Sequence, residues 1–417
     1  MKLFDKINYF LFVLLAFFIP LYSIVVPYII GLIVLVWIIE FDFRKKLKRL
    51  RERHNRLYLL SFASLYVLYL VGILYSSNIN YAVFDLEVKL SLIIFPIIFS
   101  TIKKEVFTAS NFKKILIVFI VGCFVGTVIS LVDAFIIFSE NNQFSEFYYS
   151  KLSFFHHPSY FAMYLNFAIA IIMTILLKTR ITKQKRKQVF FMILLTIYFS
   201  LFVIMLSSKA GILALFILFF ITVAHVIVVE KQLITGLFLV VIIFGLFYSA
   251  FNIFPYSLFR IVKSKQVVEN VEKIENEGSG SSADRILIWQ NSFEIIKKNF
   301  LIGVGTGDVK DCLINKYKEN NIKEALQKRL NAHNQYLQTF ITLGIIGLLI
   351  LTLSLILPAY YTFRQKNFLY LLFLIIVSIN LLVESMFETQ AGVVFYAFFN
   401  SIMFFMLIKE SNTIEAK

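Results

Sequence analysis

The 417-residue chain is 59% hydrophobic with a mean hydropathy of +0.81, which excludes a soluble globular domain, whose apolar share is about half. A formal net charge of +16 does not point to nucleic acid, because the basic residues fall in short clusters between apolar runs, the pattern that sets membrane topology. Cys123 and Cys312 are the only cysteines; they provide no disulfide framework and, without matching histidine spacing, no zinc site.

Residues 7–40 are apolar over about 50 Å if built as one helix, against a hydrocarbon core of ~30 Å. Pro20 and Pro27 near the middle divide this stretch into two short spans. The lysines before it are followed by no small-residue cleavage site, so the first span reads as retained. Between Arg44 and Arg56 lies a dense basic run opposed only by Asp42 and Glu52, which assigns it to the cytoplasm.

A third span is expected over 57–75 and a fourth over 81–100, with Asp85, Glu87 and Lys89 in its first turns. Lys103, Lys104, Lys113 and Lys114 mark a second inner loop before a fifth span over 115–138. An outer segment carrying His156 and His157 leads into a sixth span ending near Leu177, and the basic run 178–188 follows. Two further spans flank the tight turn LSSKAG, and a ninth runs from Lys231 to about Phe254. A long polar interruption over 255–333 then precedes three last spans, ending near Tyr361, Met386 and Ile408.

The expected architecture is therefore all-α and polytopic, with about twelve transmembrane helices and both termini inside. Every strongly basic short loop falls on one side under this count. Residues 1–254 hold nine spans, 255–333 form a small helical domain on the outer membrane surface, and 334–417 hold three spans and a short cytoplasmic tail. No internal repeat of the kind many transporters carry is evident.

Lys209, in LSSKAG, either snorkels at a helix end or aims a cation at a phosphate. Arg285 follows Ser282 and Asp284, either of which can cap a helix whose apolar residues Ile286, Trp289, Phe293 and Ile296 recur at helical spacing. An arginine in a first turn opposes the helix dipole, which hints at an external anion, and its planar fork suits phosphate oxygens. GVGTGD, residues 303–308, lacks the strand, lysine and hydroxyl of a nucleotide-binding loop and reads as a turn, with Asp308 a candidate cap.

His333 is the sharpest candidate for chemistry, because a neutral imidazole at the mouth of a helix can accept a proton from a sugar hydroxyl. Asn334 beside it, with Asn331, Gln335 and Gln338, offers amides suited to carbohydrate. His156 and His157 are possible ligands with no third partner at suitable spacing. Glu384 and Glu388, four apart, are expected on one helical face, where paired carboxylates can share acid and base roles. Asp133 is a buried partner for a cation or a boundary residue, and His225 is structural.

With these residues located, the chain resembles the O-antigen ligase and polymerase superfamily of bacterial membrane glycosyltransferases. The resemblance rests on the order of parts: Ser-Lys-Ala-Gly between two spans, then ADRILIW, NFLIGVGTGD and AHNQYLQTFITLGIIGLLIL, best over 206–351. It implies a GT-C-like frame in the bacterial inner membrane with its active site facing the periplasm. The implied activity is metal-independent, inverting transfer of a glycan from a polyprenyl-pyrophosphate carrier to an acceptor hydroxyl, on lipid A core or a growing polysaccharide, with no cofactor. By motif position His333 matches the family's essential histidine, Arg285 its loop arginine, and Lys209 the basic residue of its inter-span turn, commonly arginine there. His156, His157, Asn334, Glu384 and Glu388 remain possible substrate contacts. A transporter or flippase of lipid-linked glycans is the competing reading.

Overall fold

The computed structural model describes residues 3–103, 106–179, 182–253 and 281–415. Its elements are helices, with no strand among the described residues. The first three are α1 (Leu3–Phe18), α2 (Val25–Ile39) and the basic α3 (Phe43–Arg51), bent 103° from α2. Then come α4 (Arg53–Ile73), α5 (Ile79–Lys89), α6 (Ser91–Thr101) and the long α7 (Ala109–Asn141). The single-turn α8 (Tyr149–Leu152) precedes α9 (Pro158–Lys178), α10 (Arg186–Met205), α11 (Lys209–Val228) and α12 (Leu233–Ile253). A polar layer of α13 (Ser281–Lys298), α14 (Val309–Glu319) and α15 (Lys323–Gln327) leads to α16 (Gln335–Arg364), α17 (Phe368–Val383) and α18 (Gln390–Glu415).

Each expected span coincides with a helix or a broken pair of helices, yet fewer cross a membrane on length and composition than the twelve expected. Among the described residues six helices qualify, or seven if the bent pair α2 and α3 counts as one span. The shortfall has local causes. The chain turns at 19–24, so α1 and α2 have 16 and 15 residues, and the stretch 79–101 is interrupted at Leu90. The apolar parts Tyr58–Ile73, Leu233–Ser249 and Phe368–Val383 also fall short of spanning length. The expected start of the polar segment, at 255, lies outside the described residues.

Two cores hold the chain together. The larger is aromatic: Phe119, Phe167, Phe373, Phe395 and Phe399 bring α7, α9, α17 and α18 together with ring centroids 4.8 to 6.4 Å apart, and α9 and α18 are the most enclosed spans. The smaller, of Ile288, Ile295, Ile296, Val309, Leu313, Tyr317 and Ile341, seats α13–α15 on α16. At the opposite end of the bundle, Lys103 bridges Asp5 (2.9 Å) and Glu40 (2.7 Å), tying α1 to the end of α2. His225 stacks on Phe368 there, centroids 4.1 Å apart.

The GVGTGD turn does more than reverse the chain. Gly344 breaks α16 at φ +64°, and segment 300–305 satisfies the backbone groups this exposes, as an interrupted helix in an apolar setting requires. Val304 N donates to Ile341 O, Gly305 N to Thr342 O, and Ile345 N to Phe300 O, each at 2.9 Å. Gly303 (φ +72°) and Gly344 both lie so close to the partner segment that a β-carbon would meet its backbone at 2.4 and 2.2 Å. Asp308 stands at the start of α14, but its carboxylate accepts from Ser77 N (2.9 Å) and Asn78 N (2.8 Å), so it ties α14 to the turn before α5, which Asn78 caps.

Candidate active site

Three loops converge where the polar layer meets the bundle, and each is fixed by its own backbone chemistry. The first is LSSKAG. Ser208 caps α11 by accepting from Gly211 N (3.2 Å). Gly211 allows α11 to approach α9, since a β-carbon there would lie 2.5 Å from that of Ala162, and Asn166 on α9 donates to the Gly211 carbonyl at 2.9 Å. Lys209 thereby becomes the first residue of α11, at the rim of a cavity.

The second loop carries His333. Ala332 is held from both sides: its carbonyl accepts from Trp289 Nε1 (2.9 Å) and its N–H donates to Gln338 Oε1 (3.1 Å). His333 adopts a left-handed backbone, φ +45°, and its N–H donates to Asn331 Oδ1 at 3.0 Å. Asn334 then caps α16, its side chain accepting from Leu337 N (3.1 Å).

The third loop follows α17. Glu384 is extended (φ −138°, ψ 145°) and precedes a 3-10 turn, Met386–Glu388. Glu384 and Glu388 consequently do not share a helical face, because α17 ends at Val383. Glu384 turns into the cavity, whereas Glu388 pairs with Lys89 at 3.0 Å in a buried cluster with Asp85. The turn is pinned by Phe387 N donating to Gln335 Oε1 (2.6 Å) and Asn334 N donating to Ser385 Oγ (3.3 Å).

These loops enclose a cavity of about 470 Å³ whose lining includes Lys209, Arg285, His333, Glu384 and His157. Glu384, 7% exposed, is its hub. One carboxylate oxygen accepts from Arg285 Nη2 (2.9 Å) and Ser159 Oγ (3.1 Å), and the other faces His333 Nδ1 at 3.2 Å. Burial alone would raise its pKa, but the His333 hydrogen bond and the Arg285 guanidinium, with smaller help from His157, hold it down at about 2. A permanent anion thus fixes both a guanidinium and an imidazole.

The remaining candidates divide. His157 lines the cavity, and its Nδ1 accepts from Ser159 N (3.4 Å) at the start of α9. His156 points away and packs edge-on against Tyr164, centroids 5.3 Å apart, where burial pushes its pKa down to about 4. Gln335 and Gln338 are buried and bond to backbone and to Thr339 rather than facing the cavity. No group of three or more His, Cys, Asp or Glu able to hold a metal ion occurs among the described residues. Asp284 begins no helix, since α13 starts at Ser281; it lines the cavity beside Glu324, and burial together with that neighbour raises its pKa to about 6. Sequence reasoning missed Ser159, Tyr149 and Glu324 as cavity residues because none stands in a motif, and it took Asp284, inside ADRILIW, only as a helix cap.

Residues 194–352 match the model of the O-antigen ligase family, a stretch that contains Lys209, Arg285 and His333 and stops before Glu384. A search of curated proteins found no match.

Proposed function

We propose, taking the O-antigen ligase family domain over 194–352 as the premise, that this multi-pass membrane protein transfers a glycan from a polyprenyl-pyrophosphate carrier to an acceptor hydroxyl. The acceptor belongs to lipid A core or to a growing polysaccharide, and the reaction takes place at the outer face of the bacterial inner membrane. The observation that carries the reading is the convergence of Lys209, Arg285 and His333, far apart in sequence, on one cavity. The strongly basic connections lie at the opposite end of the bundle, which supports an outward-facing site.

In this reading the acceptor oxygen attacks the anomeric carbon from the side opposite the pyrophosphate. The new carbon–oxygen bond forms as the bond to the phosphate oxygen breaks, and the electron pair leaves with the polyprenyl pyrophosphate. The configuration inverts. Lys209 and Arg285 neutralise the charge that develops on the leaving group, beside a low-dielectric wall where fixed cations act most strongly. The hydroxyl proton passes to His333 Nε2. Glu384 accepts from Nδ1–H, which selects the tautomer whose Nε2 carries a lone pair.

The test is transfer by the purified protein from a defined polyprenyl-pyrophosphate-linked glycan. His333→Ala is expected to lower the rate by at least ~100-fold, the scale of a lost general base. Normal transfer by that variant would remove His333 from the role.

A further inference from the structure

The cavity is not uniform. Its lining carries two groups of charges, and consecutive residues of α13 belong to different groups. Arg285 joins Glu384, His333, Ser159 and, through the 3.4 Å contact of Ser159 with Ser208, the Lys209 turn. Asp284 instead lines the cavity together with Glu324, which pairs with Lys328 one helical turn on. Lys328 and Tyr149 line the cavity with them. His333 lines the same cavity and touches Glu384.

We propose that Tyr149, Asp284 and Glu324 form a sugar-binding subsite that receives the acceptor glycan as an uncharged polyol and presents its reactive hydroxyl to His333. This rests on the transfer reaction proposed above and assigns the half of the cavity that the pyrophosphate does not use. Charge decides the assignment. Lys209 and Arg285 outnumber Glu384 on one side, whereas Asp284 and Glu324 outnumber Lys328 on the other, so a diphosphate is attracted to the first and repelled from the second.

A polyol fits the second group for reasons of hydrogen bonding. Two neighbouring carboxylates accept from hydroxyls and the Tyr149 hydroxyl can also donate, which suits ligand hydroxyls that need both. Asp284 is buried while the Glu324 side chain is 30% exposed, so the pair can reach a ligand without being diluted by solvent. Tyr149 adds a half-buried ring, with a flat apolar face for a pyranose and a polar tip. Its segment is anchored by Lys151, which bonds Glu146 at 2.6 Å and Ser145 at 3.0 Å, so the ring is presented by a braced loop.

The experiment uses the full-length purified protein with polyprenyl-pyrophosphate-linked oligosaccharide as donor and the same oligosaccharide, freed from lipid by mild acid, as soluble acceptor. Asp284→Asn, Glu324→Gln and Tyr149→Ala are compared with wild type, each checked for an unchanged melting temperature; Tyr149→Phe replaces the alanine variant if that one is unstable. The expected result is a rise of about tenfold or more in acceptor KM, the scale of one or two lost hydrogen bonds, with donor KM within about twofold of wild type. An unchanged acceptor KM across the folded variants overturns the subsite while leaving the transfer reaction standing. A parallel rise in both KM values also overturns it, since that marks general damage. If wild type itself forms no glycosidic bond and releases no polyprenyl pyrophosphate, the reaction fails, and the subsite with it.

Discussion

Replacing Glu384 by glutamine keeps the volume and one acceptor oxygen but removes the charge that organises the cavity. The carboxyl pKa is held at about 2 instead of its ordinary 4.5, and at roughly 1.4 kcal/mol per tenfold this is about 3 kcal/mol of differential stabilisation. Because the folded-state value is depressed, that stability is fully present above pH 4.5 and is lost as pH falls through about 2. The glutamine variant should therefore melt well below wild type at pH 7, and the gap should close as pH falls below 4.5. Catalysis should suffer separately. A glutamine amide can donate to His333 Nδ1, which selects the tautomer whose Nε2 already carries its proton and cannot take another; a wrong tautomer of this kind costs on the order of 10⁴ in rate. Transfer assays on the detergent-purified variant, with melting curves between pH 3 and pH 8, separate the two effects. Wild-type turnover, or a melting deficit that does not shrink with acid, would refute the reasoning.

Two further outcomes follow from the loops that support the cavity. Lys89→Met leaves Asp85 and Glu388 buried without their cation and should cost about 3 to 5 kcal/mol; adding Asp85→Asn and Glu388→Gln should restore most of the melting temperature. Gly344→Ala puts a β-carbon 2.2 Å from the Leu301 carbonyl oxygen at φ +64°, so segment 300–305 should detach from the break in α16. The expected readout is faster amide exchange at Val304, Gly305 and Ile345.

The fold was legible wherever a hydrophobic run was long enough to name its own element. Every expected span contains a helix because an apolar stretch in lipid must satisfy its backbone internally, and that demand depends little on which apolar residues are present. The turn at 19–24 was signalled by Pro20, whereas the break at Leu90, just after Asp85, Glu87 and Lys89, has neither proline nor glycine to mark it. The break in α16 was hidden as well. TLGIIG reads as uninterrupted helix, and only the pairing with segment 300–305, forty residues earlier, makes the left-handed Gly344 favourable.

The site divides along the line between residue type and residue direction. Lys209 and His333 were visible because a charge or an imidazole at the edge of an apolar run is costly enough to require a purpose, and Arg285 because a cation in a helix's first turn opposes its dipole. Glu384 was visible as a carboxylate, but helical periodicity paired it with Glu388, and that pairing holds only if α17 continues. The fold-back just after Glu384 shows only in three dimensions, where a β-carbon on Gly392 would lie 2.1 Å from the Met386 carbonyl oxygen. The amides misled for the opposite reason. Gln335 and Gln338 occupy the first turn of α16, where polar side chains serve backbone groups that the helix leaves open, and they face Phe387 and Ala332 instead of the cavity. Their burial is what gives His333 and Glu384 a fixed separation, so residues chosen for binding sugar instead set the geometry on which a proton transfer at His333 depends.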